Sequence, residues 1–379
     1  MQNKPPKITV IIPTFNRAQF LAECLDSILV QTLPAHQIIV VNDGSTDDTK
    51  KVCDRYRDKI EYWELNQRGK PSAINLGLEK TTGDYVWIFD DDDVAFPEAL
   101  ARFVEPLEKN FQYGFSYSTF FYTGTDPDGR LGEVIRELKI PDLERKGFLP
   151  ALLEWNFLGG AALFARTACY KEAGHFDPEL LRSQDYEMAI RIARRFKGIF
   201  INGRPTFHYR QHEGARGAMQ DRFAVIERDP KWLEYNQKFF RRLYEEMPLE
   251  EYLPPPADNN KVRQAILKRM EIMSYKFLLP EVTKDLVKLA ALDDQSPFSF
   301  QENTILWDMI ARRSRYYGMP TLNDNMEFFA EVRRLSRSSA GMRFFRAKIT
   351  RILLLRFRDN PKFGKIPGIM RRVFHLYLG

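Results

Sequence analysis

The sequence predicts an α/β fold, a mainly parallel sheet with helices on both faces, followed by a mostly helical C-terminal region. Three observations carry this expectation. Residues 8–13 (ITVIIP) and 38–42 (IIVVN) are charge-free and rich in β-branched side chains, the pattern of strands buried on both faces of a parallel sheet. Between them Phe20, Leu21, Cys24, Leu25, Ile28 and Leu29 recur at steps of three and four, so one apolar stripe runs along a helix from Asn16 to Gln31. Beyond Arg222 the strand–helix alternation stops, and long charged and aromatic stretches take its place.

Asn16 suits the N-cap of the first helix. A second helix is expected after Asp47, with Ser45 or Thr46 as its cap. A strand at 60–65 follows, then a helix from Pro71 to Lys80 with Pro71 at its first position, and a strand at 85–89 that runs into four aspartates. Another helix starts near Pro97. Segments 113–123 and 131–138 flank the turn Asp126-Pro127-Asp128-Gly129 and read as a hairpin. A helix at 185–196 carries Met188, Ile190, Ile192 and Ala193, and short strands are expected at 199–202 and 206–209. No helix can cross Pro254-Pro255-Pro256. These signals divide the chain into an α/β domain at 1–222, a helical connector with a Pro-rich linker at 223–257, and a helical region with a basic tail at 258–379.

A chain of 379 residues is long enough for two or three cores. Its 44% hydrophobic and 28% charged residues exclude a wholly disordered or collagen-like chain. Cys24, Cys53 and Cys169 lie far apart with no metal or disulfide spacing, which excludes a disulfide framework or structural zinc site and fits a reducing compartment. The first apolar run ends at Pro13, short of a secretory leader, and no run approaches the ~18 apolar residues of a membrane span. The expected location is cytoplasmic.

The net charge of +6 is uneven, because residues 341–379 hold ten Lys or Arg against Asp359 alone. There Met342, Phe345, Ile349, Ile352 and Leu353 share one helical face, with Arg343, Lys348, Arg351 and Arg358 elsewhere. Such a helix fits three uses: peripheral contact with the inner face of the cell membrane, docking within the molecule, or self-association. Nothing in it matches a nucleic-acid module.

The strongest chemical signal is Asp90-Asp91-Asp92-Asp93 at a strand end. Four adjacent carboxylates repel one another unless a cation or a helix N-terminus takes up the charge. Hard oxygen ligands there suit Mg²⁺ or Mn²⁺ bridging a diphosphate, and capping of the helix near Pro97 is the plainer use. Asp43 sits at another strand end, the side on which such sheets bind ligands. It can accept hydrogen bonds from a base or ribose, or shape its loop as an Asx turn. Arg68 and Lys70, at the start of a helix, offer cations and N–H groups to phosphate, or form a solvated pair.

The segments VIIPTFNR, VNDGSTDDT, NQRGKPSAINLGL and GDYVWIFDDDD, in this order and spacing, resemble the family 2 glycosyltransferases, which have the GT-A (Rossmann-like) fold. The resemblance runs from Ile8 to Gly217, through AALFARTACYKEAGHFDPELLRSQDYEMAIRIARR and FHYRQHEGA, and does not cover the C-terminal region. It implies nucleotide contacts at Pro13, Thr14 and Asp43, with Arg17 or Arg68 as helpers, a ribose contact at Asp91 and a metal ligand at Asp92. The implied general base is Asp185, preceded by Gln184 where the family commonly has Glu; as an aspartate it also suits the N-cap of a helix starting at Tyr186. A Tyr-Arg-x-His element falls on Tyr209, Arg210 and His212, with His212 a metal or phosphate ligand, while His208 reads as structural. Trp155 and Asn156, ahead of Gly159-Gly160, suit an acceptor pocket, since aromatic faces fit sugar rings.

The implied activity is an inverting, Mn²⁺- or Mg²⁺-dependent transfer of a sugar from a nucleoside diphosphate donor, a UDP-sugar, to a hydroxyl of a glycan or lipid-linked acceptor. Cell-surface polysaccharide or glycolipid synthesis is its expected setting. The rival is a non-catalytic nucleotide-sugar-binding scaffold. A nucleotidyltransferase would want a Gly-rich basic loop after the first strand, where Pro13-Thr14-Phe15-Asn16 stands.

Overall fold

A computed structural model describes residues 5–212, 228–254, 261–311 and 325–358, together with Leu376. The chain divides into two compact units, one of Met1–Leu143 and Trp155–Arg228, the other of Glu144–Glu154 and Asp229–Gly379. The boundaries expected near 222 and 257, Pro255, Pro256 and residues 213–217 of the resemblance lie outside the described residues.

The first unit opens with β1 (Ile8–Thr14), α1 (Ala18–Leu29), β2 (Gln37–Asn42), α2 (Thr49–Arg55), β3 (Glu61–Glu64), α3 (Lys70–Lys80) and β4 (Tyr85–Ile88). It continues through β5 (Val94–Ala95), α4 (Ala99–Lys109), β6 (Tyr113–Tyr117), β7 (Phe121–Thr125) and β8 (Leu131–Glu137). After α5 (Leu143–Lys146) and α6 (Phe148–Glu154) come β9 (Leu163–Arg166), α7 (Thr167–Ala173), α8 (Gln184–Ala193), β10 (Lys197–Phe200) and β11 (Phe207–Arg210).

One sheet has the order β10-β6-β9-β4-β1-β2-β3. Strands β4, β1, β2 and β3 run parallel, β10 pairs parallel with β6, and β9 alone is antiparallel to its neighbours β4 and β6. Every residue of β1 and β2 is buried, as their charge-free runs require, whereas β3 at the edge exposes Glu61 and Glu64. The stripe of α1 is buried from Phe20 to Ile28, each large side chain contributing roughly 1.5–3 kcal/mol. Helix α3 lies so close to β1 that a Cβ at Gly77 would stand 2.5 Å from Ile11 Cγ2. Trp87 of β4 packs on Phe89 and Phe103 with ring centroids 4.4 and 5.3 Å away and donates its indole N–H to Ala161 O at 2.7 Å, which ties the loop before β9 to the core.

Three local expectations are corrected. Asn16 does not cap α1: its backbone is left-handed (φ 51°), and its Oδ1 instead accepts from Thr46 N and Asp47 N across to the next loop. The Ala18 N–H goes to Asp47 Oδ2. Asp47 also takes Thr49 N with Oδ1, so the opening turn of α2 is satisfied by Asp47 and not by Ser45 or Thr46, and Ser45 Oγ accepts from Asn16 N. Pro71 is the second residue of α3, which starts one position earlier at Lys70.

The expected strand at 113–123 is two strands in different sheets. At Ser118 the chain leaves the first sheet, its N–H bonding Ala162 O, and β7 enters a second sheet of order β5-β11-β7-β8. Strands β7 and β8 form the predicted hairpin, with Asp126 Oδ1 accepting from Asp128 N and Arg130 N in the turn. Helix α4 begins at Ala99 with no side-chain cap, so the aspartate run does not cap it.

The second unit is helical, as expected: α6 is joined by α9 (Arg228–Glu246), α10 (Val262–Tyr275), α11 (Leu279–Leu292), α12 (Phe300–Ala311), α13 (Met326–Leu335) and α14 (Ala340–Arg358). Buried charges organise it. Glu154 of α6 receives Lys268 Nζ at 2.6 Å and Lys146 Nζ at 2.5 Å on its carboxylate, and Lys276 Nζ at 3.1 Å on its carbonyl. Lys268 also meets Glu271 at 2.8 Å, and Arg269 clamps Asp285, which accepts from the Tyr244 hydroxyl at 2.9 Å. Despite burial, the lysines hold the Glu154 carboxyl down to about 2.

Met342, Phe345, Ile349, Ile352 and Leu353 of α14 are buried within this unit, so that apolar face is occupied by intramolecular packing. Arg343, Phe344, Arg351 and Leu354 are exposed. The side chains of Arg356 and Arg358 and the basic residues beyond lie outside the described residues. Among the described residues no helix is long and apolar enough to cross a membrane.

Candidate active site

The carboxyl ends of β1, β2 and β4 lie side by side, because Thr14 is level with Asn42 in the β1–β2 register and β4 runs parallel on the other flank. This gathers Pro13, Thr14, Asp43 and the aspartate run, all but Asp90 and Asp92 buried. Asp43 N donates to Thr14 O at 2.9 Å. Its carboxylate accepts from Arg68 N and Gly69 N, both at 2.7 Å. Asp43 thus staples the end of β2 to the start of α3 and is no simple Asx turn, and each oxygen retains a second lone pair for a ligand. Burial raises its proton affinity against those two N–H groups. Gly69, at φ 87°, is where only glycine fits: a Cβ would also stand 2.6 Å from Leu181 Cδ2.

The aspartate run splits by direction. Asp90, Asp92 and Asp93 each bring one oxygen within 4.8 Å of the others. Asp91 is outside this triad; burial and the Asp92 charge push its carboxyl up to about 7, with Arg17 pulling the other way. Arg17 is placed by its own N–H on Thr49 Oγ1 at 3.2 Å, whereas Arg68 is exposed.

Strand β11 delivers the partners of the triad from the second sheet. Arg210 N donates to Asp93 Oδ1 at 3.0 Å, and the buried guanidinium bonds Asp92 O and Glu23 and lies over the Phe20 ring. His212 Nε2 stands 3.0 Å from Asp92 Oδ2, its ring 5.0 Å from that of Phe20. His208 bonds Thr123 Oγ1 at 2.8 Å and packs on Phe96, the structural role expected of it.

Asp93 Oδ2 is buried and accepts no hydrogen bond among the described residues. An unpartnered carboxylate oxygen is costly there unless a cation or a proton meets it. Burial, then Asp92 and Asp90, raise the Asp93 proton affinity well above normal. Three carboxylates that each bring a hard oxygen together, one of them carrying the orphan Asp93 Oδ2, fit a divalent cation such as Mg²⁺ or Mn²⁺. Sequence reasoning singled out Asp92 and His212 and missed Asp90 and Asp93, whose only signal was membership of the run.

Asp185 lines the same cavity as Asp90. Helix α8 begins at Gln184 after a left-handed Ser183, so Asp185 lies inside the first turn and is not the N-cap of a helix starting at Tyr186. Lys70, Asp90, Gly159, Gly160, Gln184 and Asp185 help line one cavity, and among the described residues the buried Gln184 Oε1 has no hydrogen-bond partner. Lys70 Nζ sits 2.5 Å from Asp90 Oδ1. Burial raises the Asp185 proton affinity, and the Lys70 charge opposes it. Asn156 donates to Asp185 Oδ2 at 3.1 Å. Trp155 is half-buried with its ring edge against Phe157, and is not among the residues lining this cavity. Lys70 is the functional candidate that sequence reasoning left as a possible solvated cation.

A cluster of carboxylates thus stands at the strand ends of a mixed, Rossmann-like sheet of GT-A type, and the half-buried Asp185 lines the same cavity as Asp90. Residues 9–171 match the sequence model of glycosyl transferase family 2. It is similar to an uncharacterized glycosyltransferase of Rickettsia felis, 31% identical over 195 residues that make up 50% of this chain and 32% of the relative. Glycosyltransferase GlyG of Streptococcus pneumoniae is 25% identical over 232 residues, 55% of this chain and 72% of that one. The chain spans about a third of the length of the Rickettsia felis relative. Among solved structures, S. aureus TarS 1-349 in complex with UDP-GlcNAc is similar with a TM-score of 0.52 and 18% identity, over 94% of this chain and 92% of that one, a likeness of fold.

Proposed function

We propose that this glycosyltransferase is inverting and metal-dependent, and moves a hexosyl or N-acetylhexosaminyl group from a UDP-sugar to a hydroxyl of a glycan or lipid-linked acceptor. What carries the reading is one juxtaposition: Asp185 and Asp90 line the same cavity, and Lys70 is bonded to Asp90 between them. The donor class follows the UDP-GlcNAc held by the TarS structure of the same fold.

In this reading Pro13, Thr14, Asp43 and Asp91 receive the nucleoside, with Arg17 and Arg68 beside them. Asp90, Asp92 and Asp93, with His212 next to Asp92, would hold the cation. A divalent cation bound there supplies charge neutralisation for the departing diphosphate. Asp185 takes the acceptor hydroxyl proton as the new C1–O bond forms and the C1–O bond to phosphate breaks, so one attack inverts the anomeric carbon. Trp155 contributes to the acceptor side. Synthesis of a cell-surface polysaccharide or glycolipid on the cytoplasmic side fits this chemistry, with the exposed Arg343, Phe344, Arg351 and Leu354 against the inner face of the membrane.

The test is incubation with a panel of nucleotide sugars with and without Mn²⁺, scoring free nucleoside diphosphate, for the natural chain and Asp185→Asn. Metal-dependent release of UDP from one donor, abolished in Asp185→Asn with UDP binding intact, is the expected result. Full turnover by Asp185→Asn would remove the residue from the mechanism. Neither hydrolysis nor UDP binding would favour a scaffold of the same fold.

A further inference from the structure

The two oxygens of Asp185 are not equivalent. Oδ2 accepts from Asn156 Nδ2 at 3.1 Å. Which end of the Asn156 amide faces Asp185 is decided by its other contacts: Oδ1 accepts from Leu158 N at 3.2 Å and from Gly159 N at 3.3 Å. Only the amide oxygen can take two N–H groups, so the NH₂ must face the carboxylate.

The loop that carries this amide is itself anchored. Gly159 stands at φ 59° and leads into a 3-10 turn at Gly160–Ala162, and Ala161 O receives the indole N–H of the fully buried Trp87. A Cβ at Gly160 would lie 3.6 Å from Asp90 Oδ2 and 3.9 Å from Asp185 Cβ, so the loop runs along both carboxylates. The other groups acting on Asp185 are the Lys70 ammonium from α3, the Asp90 carboxylate from the end of β4 and the Tyr186 N–H of its own helix. None of these is a neutral side-chain donor.

We propose that Asn156 is a positioning residue for the transfer reaction: it fixes Asp185 by Oδ2, so that Oδ1 is the oxygen presented to the acceptor hydroxyl. The inference rests on the reading of Asp185 as the base. The acceptor proton passes to Asp185 and Asn156 keeps both amide protons, its part being to stop the carboxylate from rotating. A base held within the productive geometry is worth roughly 10- to 100-fold in rate.

Asn156→Asp separates this role from a merely structural one. Its carboxylate still accepts from Leu158 N and Gly159 N, so the loop keeps its ties, but an oxygen replaces the donor facing Asp185. Expected are an unchanged melting temperature, unchanged UDP affinity and donor KM, a kcat for UDP-sugar hydrolysis lowered by roughly 10- to 100-fold, and an acid limb of the pH–rate profile moved upward. A natural kcat and pH profile would overturn the proposal. Equal losses in melting temperature and UDP affinity would overturn it too, in favour of a loop-capping role. Should Asn156→Asp fail to fold, Asn156→Ala is read by the same split of kcat against KM. Asp185→Asn is measured alongside: if it keeps turnover, the reading of Asp185 falls and this inference with it. If Asp185→Asn is dead while Asn156→Asp runs at the natural rate, only the positioning role is lost.

Discussion

The Lys70 ammonium lies 2.5 Å from Asp90 Oδ1, joining the first residue of α3 to the acidic end of β4. Burial disfavours the charged form of this lysine, but Asp90 outweighs it and holds its proton affinity above the ordinary value. The same positive charge favours the ionised form of Asp185. In the proposed reading Asp185 must be a carboxylate to accept a proton, so removing Lys70 raises its pKa and moves the acid limb to higher pH. Lys70→Met is expected to lower UDP-sugar hydrolysis more at pH 6 than at pH 8, where the carboxyl is closer to full ionisation. It also removes a cation that competes for Asp90, so half-saturating Mn²⁺ should fall. A uniform loss at both pH values would place Lys70 on the donor instead.

Helix α14 presents Arg343 and Arg351 to solvent with Phe344 and Leu354, while its apolar face is buried. Deleting the helix would therefore uncover core, and charge reversal is the cleaner probe. The natural chain is expected to bind phosphatidylglycerol vesicles at low salt and to release them as salt screens the contact, at ~1 kcal/mol per basic residue. Arg343→Glu with Arg351→Glu should weaken binding at least tenfold in a sedimentation assay. Failure of the natural chain to bind at low salt would retire the membrane role of this surface.

Lys268 neutralises both Glu154 and Glu271 inside the second unit. Lys268→Met would remove the ammonium that joins the two buried carboxylates, leaving Lys146 on Glu154 and the Tyr275 hydroxyl on Glu271. Breaking a buried pair in this way costs about 3–5 kcal/mol. Urea denaturation should show the loss, and a midpoint like that of the natural chain would mean that the carboxylates protonate or reach water at little cost.

The sequence made legible whatever is set by local pattern. Strands β1, β2 and β4 and the stripe of α1 are spelled by contiguous apolar runs, and the aspartate run marks the acidic cluster at the end of β4. Strand β9 escaped because four residues after Gly159-Gly160-Ala161-Ala162 carry too little periodicity, and its antiparallel seat between β4 and β6 is set by tertiary pairing. Asn16 and Asp47 look alike as caps, and only the crossing of two loops decides that Asp47 serves both α1 and α2. Which aspartates converge, and that Asn156 faces Asp185, depend on residues 29 to about 120 positions away along the chain. Glu154 reads as an ordinary surface acid until the lysines 114 and 122 residues later are brought to it.

The loan of Glu144–Glu154 to the second unit makes the polypeptide pass between the units three times, at 143/144, 154/155 and 228/229. A stop codon after Arg228 would therefore not release a self-sufficient catalytic half. The shortened product would keep Glu154 and lose Lys268 and Lys276, leaving a hydrophobic stretch with Pro150, Ala151, Leu152 and Leu153 open to proteases two residues before the amide that holds Asp185.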